Sequence, residues 1–299
     1  RKLKGGVMCP SFRVTRKEQD LTRGRANTLR LAISGQLGPD ALTSDEMAET
    51  MKLCVSCKGC KRECPTGVDM ARMKIEVQAA RVRKDGLRLQ DRLTAFLPLY
   101  APWAARLPSV ANLRNTVPGL AKLTERLTGF TATRKLPTWH KNPFKDKEVA
   151  PHKSPEAVVF ADCFNRYFEP ENLRATFKVM EAANVPVQLV QAPKAERPLC
   201  CGRTFLSAGL INEAKVEAQR LVDAMMPYVE QGLPIIGLEP SCLLTLRDEI
   251  PALLPGEDTA KIAAKARMLE EYIADQESNP DFHLLLVSPA PKVLLHGHC

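Results

Sequence analysis

Cys54-Val55-Ser56-Cys57-Lys58-Gly59-Cys60-Lys61-Arg62-Glu63-Cys64-Pro65 decides how the rest of the chain is read. Four cysteines stand at intervals of three, three and four, and a proline follows the last. This is a known iron–sulfur ligand run, matched rather than derived. Its physical sense is crowding. A cubane [4Fe-4S] cluster presents several irons close together, and a tight loop with a cysteine at every third residue delivers three thiolates to them. Zinc is the main competitor, but its usual pattern is two separated CxxC pairs with room to close a tetrahedron. A thioredoxin-like redox pair needs one CxxC, not an overlapping series.

The proline after Cys64 carries a second message. In two-cluster ferredoxins the fourth cysteine of each run ligates the other cluster. Cys54, Cys57 and Cys60 then need a fourth ligand from elsewhere, and Cys9-Pro10 repeats the terminal Cys-Pro. Cys64 would belong to a second cluster whose other ligands precede Cys9, yet residues 1–8 contain no cysteine. Two alternatives stay open: Cys64 closes a single cluster, or an upstream part of the chain is missing. One cluster is expected and two are allowed.

A chain of 299 residues with 44% hydrophobic content suggests two domains with ordinary cores. The net charge is +9, with Lys and Arg concentrated before residue 150. Such an excess suits nucleic acid or an anionic membrane surface. The plainer reading is solvated surface plus neutralisation of an anionic thiolate cluster, and it is the one favoured. Two tryptophans and four tyrosines leave few platforms for stacking bases. There is no secretory hydrophobic segment, and the cysteine spacing is metal-like, so a reducing cytoplasm is expected for the ten cysteines. No apolar run approaches the length of a membrane span. The chain opens on Arg1 and stops at His296-Gly297-His298-Cys299, which reads as a fragment of a longer polypeptide.

Residues 1–86 read as a small all-helical unit held by metal. Helix is expected from about Asp20 to residue 34, from Asp45 to Leu53 with Ser44 as N-cap, and from Asp69 to Lys84 with Gly86 ending it. Met47 and Met51 share one face of the second, and Met73, Val77 and Ala80 one face of the third. Arg23 and Arg25 suit either a cluster or the surface. Residues 87–154 form a helical or irregular connector. Phe96, Leu97, Leu99, Tyr100 and Trp103 make an apolar patch there, broken by prolines, that suits a domain core, a partner or a membrane. The Lys-, Pro- and His-rich end of this stretch reads as a linker, with His140 and His152 as solvated side chains rather than ligands.

Residues 155–299 change style. Buried-strand runs at 157–161, 185–190, 233–238 and 293–295 alternate with helices at 171–183, 205–231, 241–254 and 257–275. That alternation predicts an α/β domain with a mainly parallel sheet, whose ligands sit past the carboxyl ends of the strands. The remaining cysteines follow strand ends: Cys163 the first, Cys200-Cys201-Gly202 the second, Cys242 the third and Cys299 the last. Their convergence would make a second metal or iron–sulfur site, with Cys163 its weakest member, or a redox-active thiol pair at Cys200 and Cys201. Alternatively each is a small buried hydrophobe.

Leu199-Cys200-Cys201-Gly202 resembles the cysteine-rich CCG domain of heterodisulfide reductase, of the glycolate oxidase iron-sulfur subunit and of the small subunit of anaerobic glycerol-3-phosphate dehydrogenase. Cys163, Cys200, Cys201 and Cys242 fit its pattern in order, and Thr245 stands where its last cysteine would be. That domain is normally duplicated, and His296-Gly297-His298-Cys299 resembles the start of a second copy that is cut off.

Met8-Cys9-Pro10-Ser11-Phe12, Thr22-Arg23-Gly24-Arg25-Ala26-Asn27, Phe164 to Asn172 (FNRYFEPEN) and Leu238 to Glu249 (LEPSCLLTLRDE) resemble the C-terminal part of large bacterial FAD-linked oxidases of the D-lactate and D-2-hydroxyglutarate dehydrogenase type. The resemblance implies an upstream FAD domain that oxidises a D-2-hydroxy acid: lactate, 2-hydroxyglutarate or glycolate. Electrons then pass to a [4Fe-4S] cluster on Cys54, Cys57, Cys60 and either Cys9 or Cys64, on towards the CCG region, and out to a quinone or an electron-transfer flavoprotein. It implies a cytoplasmic protein, peripheral on the inner face of the membrane at most. Lys58, Lys61 and Arg62 would raise the cluster's potential by favouring its more negative reduced state. The sequence names no substrate residues. A separate iron–sulfur subunit of the heterodisulfide-reductase or glycolate-oxidase kind is the runner-up. A zinc-stabilised basic protein that binds nucleic acid comes third, and no recognisable motif supports it.

Overall fold

A computed structural model describes residues 8–192 and 197–276, with Asn279, Phe282 and Lys292. The described chain clusters into two compact units. One takes in the residues up to Arg92 together with Phe205–Ile211; the other takes in Leu93–Thr204 and the chain from Asn212 onward.

The first unit is helical. It runs α1 (Pro10–Thr15), α2 (Thr22–Ile33), α3 (Asp45–Lys52), α4 (Gly59–Glu63), α5 (Met70–Asp85) and α6 (Leu89–Ala95, whose last three residues belong to the other unit). Ser44 caps α3 by accepting from the Met47 amide, and Asp69 caps α5 by accepting from the Arg72 amide. Gly86 ends α5 at φ +76, a backbone state that favours glycine. Leu29, Met47, Met51, Met70 and Val77 form its core. The expected apolar face of α5 is rotated: Met70, Ala71, Val77 and Ala79 are buried, while Met73 is exposed. The short helix α1 was not foreseen. Pro10 supplies its first turn and Phe12 is its only buried residue, so it has almost no periodic pattern to read.

The second unit starts with α7 (Leu97–Ala104), α8 (Pro108–Ala111), α9 (Leu113–Thr116) and α10 (Leu120–Thr128). The linker that follows has one short 3-10 turn at Asp146–Glu148 and is docked along its length by aromatic side chains. The Trp139 ring packs 4.6 Å from that of Phe168, and buried Phe144 stacks on Phe177. His140 is half-buried, its Nδ1 within 2.9 Å of the Asn142 carbonyl, whereas His152 is exposed.

Then come β1 (Ala157–Phe160), α11 (Cys163–Tyr167), α12 (Pro170–Ala182), β2 (Val187–Leu189), α13 (Arg203–Ser207), α14 (Ile211–Glu230), β3 (Ile235–Gly237), α15 (Pro240–Arg247), α16 (Glu249–Leu253), α17 (Glu257–Lys265), β4 (Ala266–Met268) and α18 (Leu269–Asp275). The four strands pair in the order β2-β1-β3-β4, all parallel. Helices cover both faces. Val158, Phe160 and Ile235 point to one core with Leu221, Met225 and Leu243, and Val159 and Ile236 to the other with Leu173 and Met180. This is the expected helical domain followed by an α/β domain with a parallel sheet.

Three expected helices are interrupted. The one from 205 to 231 breaks at Gly209, φ +80, between α13 and α14. The one from 241 to 254 breaks at Asp248, which separates α15 from α16. The one from 257 to 275 contains the edge strand β4, where Ala266–Met268 takes up the open side of β3. Three residues without a β-branched side chain give no strand signal, so tertiary pairing overrides local propensity there. The strand expected at 293–295, and Cys299 after it, lie outside the described residues.

Candidate iron–sulfur site

The cysteine run folds as a loop plus one helical turn. Cys54 is tied to the end of α3 through its amide and the Met51 carbonyl (3.0 Å). Ser56 and Lys58 both adopt positive φ, +55 and +56, two of four non-glycine residues to do so among the described residues. Backbone held in a sparsely populated region is found where surroundings over-determine it, often at a binding site. Lys58 enters α4, which carries Cys60, and Cys64 follows that helix.

These pieces surround a cavity of about 390 Å³. Cys9, Cys54, Cys57, Cys60 and Cys64 all line it, so Cys9, distant in sequence, reaches the same space as the run. All five thiols are half-buried, and none of the nine described cysteines is in a disulfide. Among the described residues no three His, Cys, Asp or Glu side chains close on one point as a lone metal ion requires. The five thiols that border the cavity are a donor set of the kind iron–sulfur clusters take. The Cys64 thiol sits below its ordinary range because the Thr66 hydroxyl, 3.1 Å away, and nearby backbone amides favour its thiolate.

One buried cation, Arg25, lines the cavity, and Lys74 stands close behind Cys54. Arg25 is 1% exposed. Its guanidinium donates to the Thr50 carbonyl (3.0 Å), the Ser11 hydroxyl (3.1 Å) and the Cys9 Sγ (3.9 Å). Arg23 is exposed and pairs with Glu18, so the two arginines of one motif part company. Lys74 donates to the Cys54 carbonyl (2.6 Å), and burial lowers its pKa. Reading the sequence singled out Lys58, Lys61 and Arg62 and missed Lys74. Lys58 and Lys61 both lie against Asp69, at 3.6 and 3.8 Å, which offsets part of their charge. Lys74 carried no signal, because its distance from the run gives no hint that α5 returns beside Cys54.

A second group of thiols gathers in the α/β unit. Cys163 opens α11 after β1, where Asp162 caps the helix; Cys200 and Cys201 lie in the chain after β2; Cys242 lies in α15 after β3. All four are buried. The Cys201 and Cys242 Sγ atoms are 3.1 Å apart, the Gly202 amide donates to Cys200 Sγ (3.4 Å), and Cys163 Sγ lies 3.9 Å from the Leu199 carbonyl. Hydrogen bonding with the neighbouring Cys163 and Cys201 thiols pulls the Cys200 thiol well down. The same coupling to Cys200 raises Cys163 and Cys201 well up, reinforced by burial. Cys242 gains a hydrogen bond from Cys201, but burial and the charges of Asp162 and Cys200 outweigh it and push it up to about 11. Thr245 is fully buried, and its hydroxyl is satisfied by the Ser241 carbonyl (2.7 Å). Cys299 lies outside the described residues.

Residues 6–68 match the 4Fe-4S dicluster domain, and residues 157–247 match the cysteine-rich domain. The chain therefore carries a 4Fe-4S dicluster domain and a cysteine-rich domain, and it is homologous to oxidoreductases and to an iron-sulfur subunit of one. It is 23% identical to D-2-hydroxyglutarate dehydrogenase of Escherichia coli (strain K12) over 91% of its own length and 31% of that protein's. It is 25% identical to a subunit of the anaerobic glycerol-3-phosphate dehydrogenase of the same organism, over 78% of its length and 57% of that protein's. It is 22% identical to that organism's glycolate oxidase iron-sulfur subunit, over 97% and 65% respectively. The chain thus spans about a third of the length of the dehydrogenases it matches. No solved structure matches it.

Proposed function

We propose that this chain is the iron–sulfur electron-transfer portion of an FAD-linked oxidoreductase that oxidises a D-2-hydroxy acid such as 2-hydroxyglutarate, lactate or glycolate. The observation that carries the reading is the five-cysteine cavity with a buried guanidinium in its wall. Cys54, Cys57 and Cys60 would hold a [4Fe-4S] cluster, with Cys9 or Cys64 as the fourth ligand. Bound there, the cluster supplies one-electron chemistry between a two-electron flavin donor and the next acceptor. The chain's own residues set the terms. Arg25 orients Cys9 and stabilises added negative charge. Cys163, Cys200, Cys201 and Cys242 form a second candidate metal or redox-thiol site, to which Cys299 would add a ligand.

The natural divisions on this reading are 1–86 for the cluster domain, 87–154 for the connector and 155–299 for the CCG domain. The flavin domain lies in the same polypeptide or in a partner subunit, and the acceptor is a quinone or an electron-transfer flavoprotein. The protein works in the cytoplasm, peripheral to the inner face of the membrane. A separate iron–sulfur subunit is the second reading, favoured by the 97% coverage of this chain against the glycolate oxidase subunit.

The test is anaerobic. The cluster-loaded chain is mixed with its flavoprotein partner and, in turn, D-2-hydroxyglutarate, D-lactate and glycolate. Substrate-dependent bleaching of the cluster absorbance is expected with one of them. A cluster that dithionite reduces but that no hydroxy acid reduces would overturn the proposal.

A further inference from the structure

The connector helices carry an apolar surface that nothing among the described residues covers. No residue of α8, α9 or α10 is buried. Trp103, Leu107, Val110, Leu123 and Leu127 are each between 55% and 67% exposed. Single exposed leucines are ordinary, but five large side chains within 25 residues form a concentration that calls for a partner. The segment is firmly tied. Arg114 donates to the Thr124 hydroxyl (2.9 Å) and to the Phe130 and Thr131 carbonyls, which joins α9 to α10. Asn112 bonds the Trp139 backbone in both directions, and Ala101 and Ala105 are buried against Tyr167 and Phe168.

The charge of the segment says what the partner is. Residues 93–145 hold eight lysines and arginines against a single acid, Glu125, so this segment carries a net charge of +7. Lys122 and Arg126 are exposed and flank Leu123 and Leu127 on α10, where the two leucines are four residues apart and share a face. The Arg106 guanidinium lies 4.2 Å from the centre of the Trp103 ring. Leucines ringed by cations, with an exposed tryptophan, are the composition of a helix lying in a bilayer interface. Nucleic acid matches the charge but not the aliphatic side chains, which offer no stacking face. No helix among the described residues is long and apolar enough to cross a membrane.

We infer that this face rests on an anionic lipid bilayer. Trp103, Leu107, Val110, Leu123 and Leu127 enter the headgroup–acyl boundary, and the flanking cations meet lipid phosphates. The inference refines the peripheral placement proposed above and is independent of how electrons travel.

The test is co-sedimentation of the full, cluster-loaded chain with vesicles of phosphatidylglycerol and phosphatidylethanolamine, against vesicles of phosphatidylcholine alone. Binding is expected only to the anionic vesicles, weakening as salt rises. The tryptophan emission should shift to the blue and be quenched by brominated acyl chains, and Trp103→Phe should abolish both effects. Leu123→Gln with Leu127→Gln should reduce partition at least tenfold. Both substitutions are at exposed sites, so iron content and the EPR signal should stay unchanged and report the electron-transfer reading separately. Failure of the wild-type chain to bind would overturn the inference together with the peripheral placement. Equal binding by wild type and variants would overturn the inference alone.

Discussion

Arg25 and Cys9, sixteen residues apart, meet at the wall of the cysteine cavity, with the guanidinium 3.9 Å from Sγ. A buried cation in the cavity wall favours whichever state of a cluster held there carries more negative charge. Arg25→Gln should therefore lower the midpoint potential, on the order of 100 mV for a unit charge several ångströms away at an effective dielectric near 20. Arg25→Lys keeps the charge but loses the fork to Ser11 and Thr50, so its shift should be smaller. An EPR-monitored redox titration reads both. Equal potentials in all three proteins would remove Arg25 from the site's electrostatics.

The helix that leads into the cysteine run, α3, depends on its cap. Ser44→Ala removes the acceptor for the Met47 amide and should cost about 1 kcal/mol. Because α3 ends two residues before Cys54, the loss should appear as slower cluster reconstitution as well as lower stability. A chemical denaturation midpoint unchanged from wild type would show that the cap does not matter.

Gly237 is the last residue of β3, just before the stretch that carries Cys242. A Cβ there would lie 2.6 Å from Leu243 Cδ1, and Leu243 is fully buried. Gly237→Ala should cost about 1–3 kcal/mol through overpacking. Calorimetry should show the melting temperature falling by several degrees. An unchanged Tm would mean that Leu243 has room to move.

Arg247 clamps the edge strand by donating to the Ala266 carbonyl (2.7 Å) and to the Glu271 carboxylate. That hydrogen bond holds Glu271 down to about 2, from an ordinary 4.5. A carboxylate whose folded pKa is depressed stabilises the fold above its unfolded pKa and loses that contribution as pH falls to the folded one. The loss belongs between pH 4.5 and about 2. The Glu271 side chain is 43% exposed, so solvent screening limits the effect to about 1 kcal/mol or less. Denaturation curves across that range should converge for wild type and Glu271→Gln. Parallel curves would contradict the assignment.

Much of this fold could be read from the chain because its signals are local. Ser44, Asp69 and Gly86 bound helices through capping chemistry, and the AVVF run at 157–160 is a buried strand by composition. What escaped is set by contacts distant in sequence. Met73 follows the helical period of α5 yet faces outward, because Met70 and Ala79 meet the core. Ala266–Met268 becomes a strand only because β3 offers an open edge. The site divides the same way. The spacing from Cys54 to Cys64 announces itself, and Cys9-Pro10 is legible as a repeat of its end. The burial of Arg25 beside exposed Arg23, and the return of Lys74 to Cys54, follow only from the packing of α2 and α5.

The decisive measurement is metal content with EPR. The chain is reconstituted anaerobically with iron and sulfide, reduced with dithionite, and compared with Cys57→Ser and Cys163→Ser. At least four irons per chain are expected, with a reduced [4Fe-4S] signal that Cys57→Ser abolishes and Cys163→Ser leaves in place. One equivalent of zinc with no signal, or a signal that survives Cys57→Ser, would contradict an electron-carrying cluster in the cysteine cavity.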